Sequence, residues 1–166
     1  ELADRAVIML ADNYRFLIDH SFLILVSFDE EWLFAENYLK LEELRFRDSL
    51  TIRMEREGDF SGIRIPPLTI QPLVENALKH GVQKGRGEGA ISVFAQNAGG
   101  RVTIAVADNG AGVASVDLFA RSLGNIRKRL HHCFGEAEIT LEDAPEGGVT
   151  VTVTFPGEKK EAARIA

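Results

Sequence analysis

The sequence predicts an α+β domain built on one sheet with helices on one face. Three observations lead there. Strand-like stretches come in neighbouring pairs around glycine turns, 90–96 with 102–107 and 137–142 with 148–155. Segments of helical periodicity stand between them. Leu50, Ile52 and Met54 alternate with Thr51, Arg53 and Glu55, which gives a strand one buried face.

In chain order, Leu2, Ala6, Met9, Leu10, Asn13, Phe16 and Leu17 recur mostly three or four residues apart, so residues 1–20 form an amphipathic helix. Residues 22–26 are an apolar connection. Ser27-Phe28-Asp29-Glu30 reads as a capping box, Ser27 accepting from the Glu30 amide while the Glu30 carboxylate reaches back. A second helix runs through Trp32, Leu33, Tyr38, Leu41 and Leu44 to about Arg47. After the strand at Leu50, Gly58 to Gly62 is a turn. Pro66-Pro67 is expected to open a helix, where a missing amide costs least, and Gly81 to close it. The stretch Gly81–Gly89 reads as a loop, because it holds four glycines. Gly99-Gly100 joins the first strand pair. Residues 108–122 form a second glycine-containing loop, Leu123 to Cys133 a helix closed by Gly135, and Pro145 to Gly148 the last turn. The charged tail beyond Pro156 is expected to fray.

The 166 residues suffice for one domain with a small appendage. An excess of 25 acidic over 19 basic residues, net −6, argues against nucleic-acid binding, which needs a basic surface. Cys133 is the only cysteine, so neither an intrachain disulfide nor a cysteine-based zinc site is expected, and a reducing cytoplasm fits. The longest apolar run, Phe22 to Val26, is too short to span a bilayer. Glu1, Asp4 and Arg5 stand where a signal peptide would be apolar. The sequence begins without methionine and mid-helix. It is read as a cytoplasmic piece of a longer protein, with any membrane attachment upstream.

Four stretches carry the chemistry. In Gln71-Pro72-Leu73-Val74-Glu75-Asn76-Ala77-Leu78-Lys79-His80-Gly81, Leu73 and Ala77 face the sheet and Asn76 is an uncharged polar residue mid-helix. Its amide oxygen is a hard ligand suited to Mg²⁺; the bland alternative is an exposed asparagine. In Val106-Ala107-Asp108-Asn109-Gly110-Ala111-Gly112 a strand ends at an aspartate and opens into a glycine loop. This is either a plain hairpin turn or an acceptor for an exocyclic amine, with Gly110 and Gly112 admitting a purine. In Leu123-Gly124-Asn125-Ile126-Arg127-Lys128-Arg129-Leu130 a loop enters a helix whose first amides could meet a phosphate, with Arg127 or Arg129 beside it; the alternative is an ordinary basic helix face. Gly147-Gly148-Val149-Thr150-Val151-Thr152-Val153 is mainly a strand, and its glycines are given only a secondary part in shaping a site.

Taken together, in this order, these stretches resemble the ATP-binding domains of sensor histidine kinases, closest to the LytS/YehU type. The hallmark of that type stands here as Pro66-Pro67-Leu68-Thr69-Ile70-Gln71-Pro72-Leu73-Val74-Glu75-Asn76-Ala77-Leu78-Lys79-His80-Gly81. Glu36-Asn37-Tyr38-Leu39 and Leu44-Arg45-Phe46-Arg47-Asp48 are similar to it too, so the likeness covers about residues 10–156. The Asp-Asn-Gly-Ala-Gly box is typical of the wider superfamily that includes gyrase and Hsp90. The resemblance implies the two-layer α/β sandwich of that superfamily (the Bergerat ATP-binding fold), with a mixed, mostly antiparallel sheet. It implies ATP and Mg²⁺ as cofactors, with Asn76 as metal ligand and Asp108 as adenine anchor. Gly110 and Gly112 would shape the pocket, and Lys79, His80, Asn125 and Arg127 would lie near the phosphates under a lid over about 109–124. Residues 1–47 would end a helical dimerisation region, 48–156 form the catalytic domain and 157–166 a tail. A response regulator and a second copy, joined through the N-terminal helices, would be the partners.

Two departures qualify the likeness. The family ends its lid in Gly-x-Gly; here Ala120 and Ser122 take those places, and positive φ would strain both. The family's acceptor histidine lies in a segment like Pro-His-Phe-Leu-Phe-Asn, which does not occur here; the histidines are His20, His80, His131 and His132. Superfamily members that hydrolyse ATP carry a general-base Glu one turn before the Asn. Pro72 holds that position, and Glu75 points about 100° away from Asn76 around the helix. The resemblance therefore implies phosphotransfer to a histidine outside this sequence. The alternatives are a degenerate nucleotide-sensing or dimerisation module and an anti-sigma-factor-type serine kinase; the Gln-Pro-Leu-Val-Glu-Asn string argues against the latter.

Overall fold

The computed structural model describes residues 2–20, 23–46, 49–82, 88–110, 112, 119–144 and 147–157, with the backbone alone for 2–6, 9, 12, 17, 20, 80–82 and 119–122. Its elements are α1 (Leu2–His20), β1 (Val26–Ser27), α2 (Phe28–Phe46), β2 (Leu50–Glu57), β3 (Arg64–Ile65) and α3 (Gln71–Asn76), which continues as a π-helical turn (Ala77–Val82). Then come β4 (Gly89–Ala98), β5 (Arg101–Asp108), α4 (Phe119–Phe134), β6 (Glu138–Asp143) and β7 (Val149–Pro156).

Period-2 patterning makes one five-stranded sheet in the order β2-β4-β5-β7-β6, with β2 parallel to β4 and every other pair antiparallel. This is the mixed, mostly antiparallel sheet expected. Register lines Met54, Val93, Val106, Val151 and Leu141 into one row across all five strands. That face is covered by α2, α3, the π-helical turn and α4, whose Trp32, Leu39, Leu73, Leu78, Ile126 and Leu130 join the sheet in a single core. The other face carries Thr51, Arg53, Ser92, Ala107 and Thr150, all exposed or half-buried.

Four features depart from the sequence reading. First, β1 and β3 form a separate antiparallel ladder, Val26 opposite Ile65 and Ser27 opposite Arg64. Two residues are too few to show an alternation in the sequence. Second, a boundary at 47/48 cuts through the core, because α2 contributes Phe28, Trp32, Ala35 and Leu39 to it. Third, Pro66–Ile70 is a loop and helix begins only at Gln71, because the loop's backbone groups are taken by side chains from α2 and α4, described below. Fourth, α4 starts at Phe119, so Ala120 and Ser122 lie in its first turn. Among the described residues the only non-glycine at positive φ is Leu68, so neither Ala120 nor Ser122 takes the positive φ that would strain it. Residues 83–87 of the first loop, 111 and 113–118 of the expected lid, and 158–166 of the tail lie outside the described residues.

The capping box forms as read: Ser27 Oγ accepts from the Glu30 amide at 3.2 Å and Glu30 Oε2 from the Ser27 amide at 2.9 Å. α1 packs on α2 through Phe16 and Phe34, whose ring centroids are 4.2 Å apart, and leaves Val7, Ile8, Leu10, Tyr14 and Ile18 exposed. No helix among the described residues is long and apolar enough to cross a membrane.

Candidate functional site

α3 begins with Pro72 in its first turn and buries Leu73 and Val74. The Ala77 amide is shared between the carbonyls of Leu73 and Val74, and from there the helix widens into the π-turn that packs on β4 and β5. Such widened turns put side chains where an α-helix would not. Asn76 stands at the transition, half-buried. Its Nδ2 is buried with no hydrogen-bond partner among the described residues. A flip of the amide exchanges nitrogen and oxygen, so the same unfilled position can present a hard oxygen. Glu75, the only carboxylate on α3, accepts from Gln71 Nε2 at 2.8 Å and lies 3.9 Å from the ammonium of exposed Lys79. His80 is in the π-turn, and its side chain lies outside the described residues.

Asp108 ends β5 on the helix-covered face, in the alternation Val102, Ile104, Val106, Asp108, and is only 7% exposed. Its Oδ1 accepts from the Gly110 amide at 2.8 Å. The backbone around it is packed so tightly that only glycine fits at Gly148. There φ is +85°, and an added Cβ would lie 2.0 Å from the Asp108 carbonyl oxygen and 2.6 Å from the Gly110 nitrogen. Gly112, at φ +79°, packs beside Asp143 and Gly148. Asn109 pins the start of β4: its Oδ1 accepts from the Ala90 amide at 2.8 Å and its Nδ2 donates to the Glu88 carbonyl at 3.0 Å. A cavity of about 420 Å³ at this end of the sheet includes Asp108, Asn109 and Gly147 but otherwise opens among Thr51, Arg53, Ser92 and Thr150 of the helix-free face.

α4 buries Leu123, Ile126 and Leu130 and exposes Asn125 and Arg127. Asn125 shares a cavity of about 430 Å³ with Leu68, Pro72 and Lys128. Arg129 is committed elsewhere, donating to the carbonyls of Pro67 and Leu68. Because α4 begins at Phe119, the amides of residues 123–126 are already inside the helix. The expected phosphate contact from the amides that open the Leu123 helix is therefore unavailable in this conformation. Asn76 and Asp108 thus share one face of the sheet, Asn125 sits at the first turn of α3, and exposed Arg127 is not drawn in with them.

Residues 63–159 match the family model described as histidine kinase-, DNA gyrase B-, and HSP90-like ATPase. The chain belongs to this ATPase family. It is 39% identical to Bacillus subtilis YwpD, over 76% of this chain and 49% of that protein. It is 30% identical to the sensor protein LytS of Staphylococcus haemolyticus, over 94% of this chain and 29% of that one. The chain thus spans about half or less of the curated relatives it matches. The structure of histidine kinase ThkA in complex with the response regulator TrrA shares the fold, with a TM-score of 0.56 at 15% identity over 92% of this chain and 48% of that chain.

Three residues that shape this region carry little signal along the chain. Gly148 reads locally as part of a strand with only a secondary role, yet it packs directly on the Asp108 backbone; the pairing of β5 with β7 brings them together. Asn109 and Glu31 carry no local signal, since their partners lie 19–39 residues away.

Proposed function

We propose that this chain is the ATP-binding catalytic domain of a two-component sensor histidine kinase, passing the γ-phosphate of ATP to a histidine outside this sequence. The observation that carries the reading is the buried Asp108 held against Gly110 and Gly148 at the end of β5, the strand on which the π-helical turn after α3 packs. A buried carboxylate at a glycine-only cradle accepts from the exocyclic amine of a purine stacked there, and Gly112 keeps the approach open. Folding unit and catalytic domain would begin at β1, leaving α1 as the end of the dimerisation region. The exposed Val7, Leu10 and Tyr14 of α1 suit pairing with a second copy. A response regulator would take the phosphoryl group onward.

The donor set fits Mg²⁺: Asn76 has an unfilled buried amide position, and such an ion keeps several waters and uses one or two protein ligands with the substrate phosphates. When bound, it would neutralise charge on the β- and γ-phosphates. Among the described residues no cluster of three acidic, histidine or cysteine side chains could hold a metal alone, so the nucleotide would complete the site. Lys79, His80 and Asn125 would add cations and donors for the phosphates, and exposed Arg127 would have to swing in to join them. The acceptor imidazole attacks the γ-phosphorus, the bond to the β–γ bridging oxygen breaks, and ADP leaves. Pro72 cannot accept a proton and Glu75 is engaged by Gln71 and Lys79, so α3 offers no base to activate water. Hydrolysis by the isolated chain should accordingly be slow.

Calorimetry with a non-hydrolysable ATP analogue tests the reading. Asp108→Ala is expected to cost about 1–3 kcal/mol, a loss of roughly 5- to 150-fold, by leaving the purine amine unpaired. Asn76→Ala should remove the Mg²⁺-dependent part of the affinity. Unchanged binding in both variants would overturn the site assignment. Glycine at Ala120 and Ser122 tests the start of α4. Each substitution weakens a helix by up to about 1 kcal/mol, which would free the amides beyond it for the phosphates. Tighter analogue binding in the double variant is expected; weaker binding would mean that the helical start is itself the binding conformation.

A further inference from the structure

We infer that Glu31 is a positioning residue for Mg²⁺–nucleotide binding: from α2 it fixes the Pro66–Ile70 loop and, through it, the short helix that presents Asn76. Glu31 is fully buried. Its carboxylate accepts from three successive backbone amides, those of Leu68, of Thr69 at 2.9 Å and of Ile70 at 3.0 Å. The loop's carbonyls go the other way, Pro67 and Leu68 accepting from the Arg129 guanidinium of α4 and Pro66 from Thr69 Oγ1 at 2.6 Å. One buried anion and one half-buried cation thus hold opposite sides of a five-residue loop. Leu68, at φ 58°, keeps a conformation that an L side chain holds only where its surroundings impose it.

The path to Asn76 is short and continuous. Ile70 precedes α3 and offers no side-chain cap. Its amide is held by Glu31, and its carbonyl accepts the amides of Leu73 at 3.0 Å and Val74 at 3.2 Å. Asn76 follows two residues later, so a shift at Ile70 carries through the six residues of α3 as one body. Burial pushes the Glu31 carboxyl up from its ordinary range, while the three amides and Arg129 pull it back. A group kept there against that desolvation is doing more than filling space. α2 also carries Phe34, stacked on Phe16 of α1, so Glu31 sits where the lead-in helices meet the nucleotide site.

The inference rests on Asn76 as the Mg²⁺ ligand, and the experiment separates the two. Affinity of the full chain for a non-hydrolysable ATP analogue is measured with and without Mg²⁺, alongside thermal midpoints. Glu31→Gln keeps the shape but turns an N–H donor toward the backbone amides. It is expected to reduce the Mg²⁺-dependent gain in affinity by about 10- to 100-fold, the usual cost of losing a group that orients a metal ligand. The Mg²⁺-free affinity, set by the Asp108 end of the site, should stay within about twofold. Val153→Ala, a core change away from the loop, controls for lost stability and should leave the Mg²⁺ gain intact. Should Glu31→Gln not fold, Arg129→Gln loosens the same loop from the other side and should show the same selective loss. If Asn76→Ala abolishes the Mg²⁺ gain while Glu31→Gln or Arg129→Gln keeps it, the inference is overturned and the metal reading stands. If Asn76→Ala keeps the gain, both fall together.

Discussion

A chain trimmed to residues 48–166 should fail to fold, whereas one starting at Leu23 should unfold cooperatively. Trimming at 48 removes Phe28, Trp32, Ala35 and Leu39 from the core. Each of the three large side chains contributes about 1.5–3 kcal/mol of burial. It also strips the amides of Leu68, Thr69 and Ile70 of the Glu31 carboxylate, at about 1–3 kcal/mol for each buried donor left unpaired. β3 loses its partner β1, and the Ile63 carbonyl its bond from the Phe28 amide. The total reaches the whole stability of an ordinary domain, about 5–15 kcal/mol. Urea unfolding followed by circular dichroism gives the answer. A cooperative transition in the 48–166 chain would make α2 an appendage and restore the boundary at 47/48.

The second large effect is at Gly148. Gly148→Ala should lower the thermal midpoint by about 5–15 °C at this chain length and weaken ATP-analogue binding by at least about tenfold. Two costs combine. A left-handed conformation strains an L residue by about 1–2 kcal/mol. A Cβ 2.0 Å from the Asp108 carbonyl oxygen forces that strand end to move, typically at about 1–3 kcal/mol. The displaced groups are those that aim the Asp108 carboxylate. Gly147→Ala is the matched control: φ is +94°, but the nearest atom to its Cβ is 4.0 Å away, the Gly110 carbonyl oxygen. It should show only the conformational cost, about 1–2 kcal/mol, with affinity nearly unchanged. Equal behaviour of the two variants would show that contact with Asp108 does not matter.

Much of this was legible along the chain. Period-2 stretches with glycine turns marked β2, β4, β5, β6 and β7, and Ser27 with Glu30 marked the start of α2. A strand ending in Asp108 and followed by two spaced glycines is a local pattern, and the resemblance to the kinase family is what turns it from a plain turn into a candidate purine site. Asn76 stands out as an amide on an otherwise amphipathic helix, and only the resemblance to the kinase family gives it a role as metal ligand. All of these signals lie within a few residues of the group they identify.

What the sequence determined by itself, then, was the order of the main elements and the sheet's buried face, since propensity, periodicity and turn chemistry act between near neighbours. Tertiary structure alone decided where α3 begins. Pro66-Pro67 is a sound helix start locally, but Glu31 from α2 and Arg129 from α4 take the loop's amides and carbonyls and hold Leu68 at φ 58°. It also decided that α2 belongs to the core and that the backbone around Gly148 leaves no room for a Cβ. Those outcomes depend on groups 37–62 residues apart meeting in a desolvated interior, where a buried polar group must find a partner and two backbones can touch only through glycine.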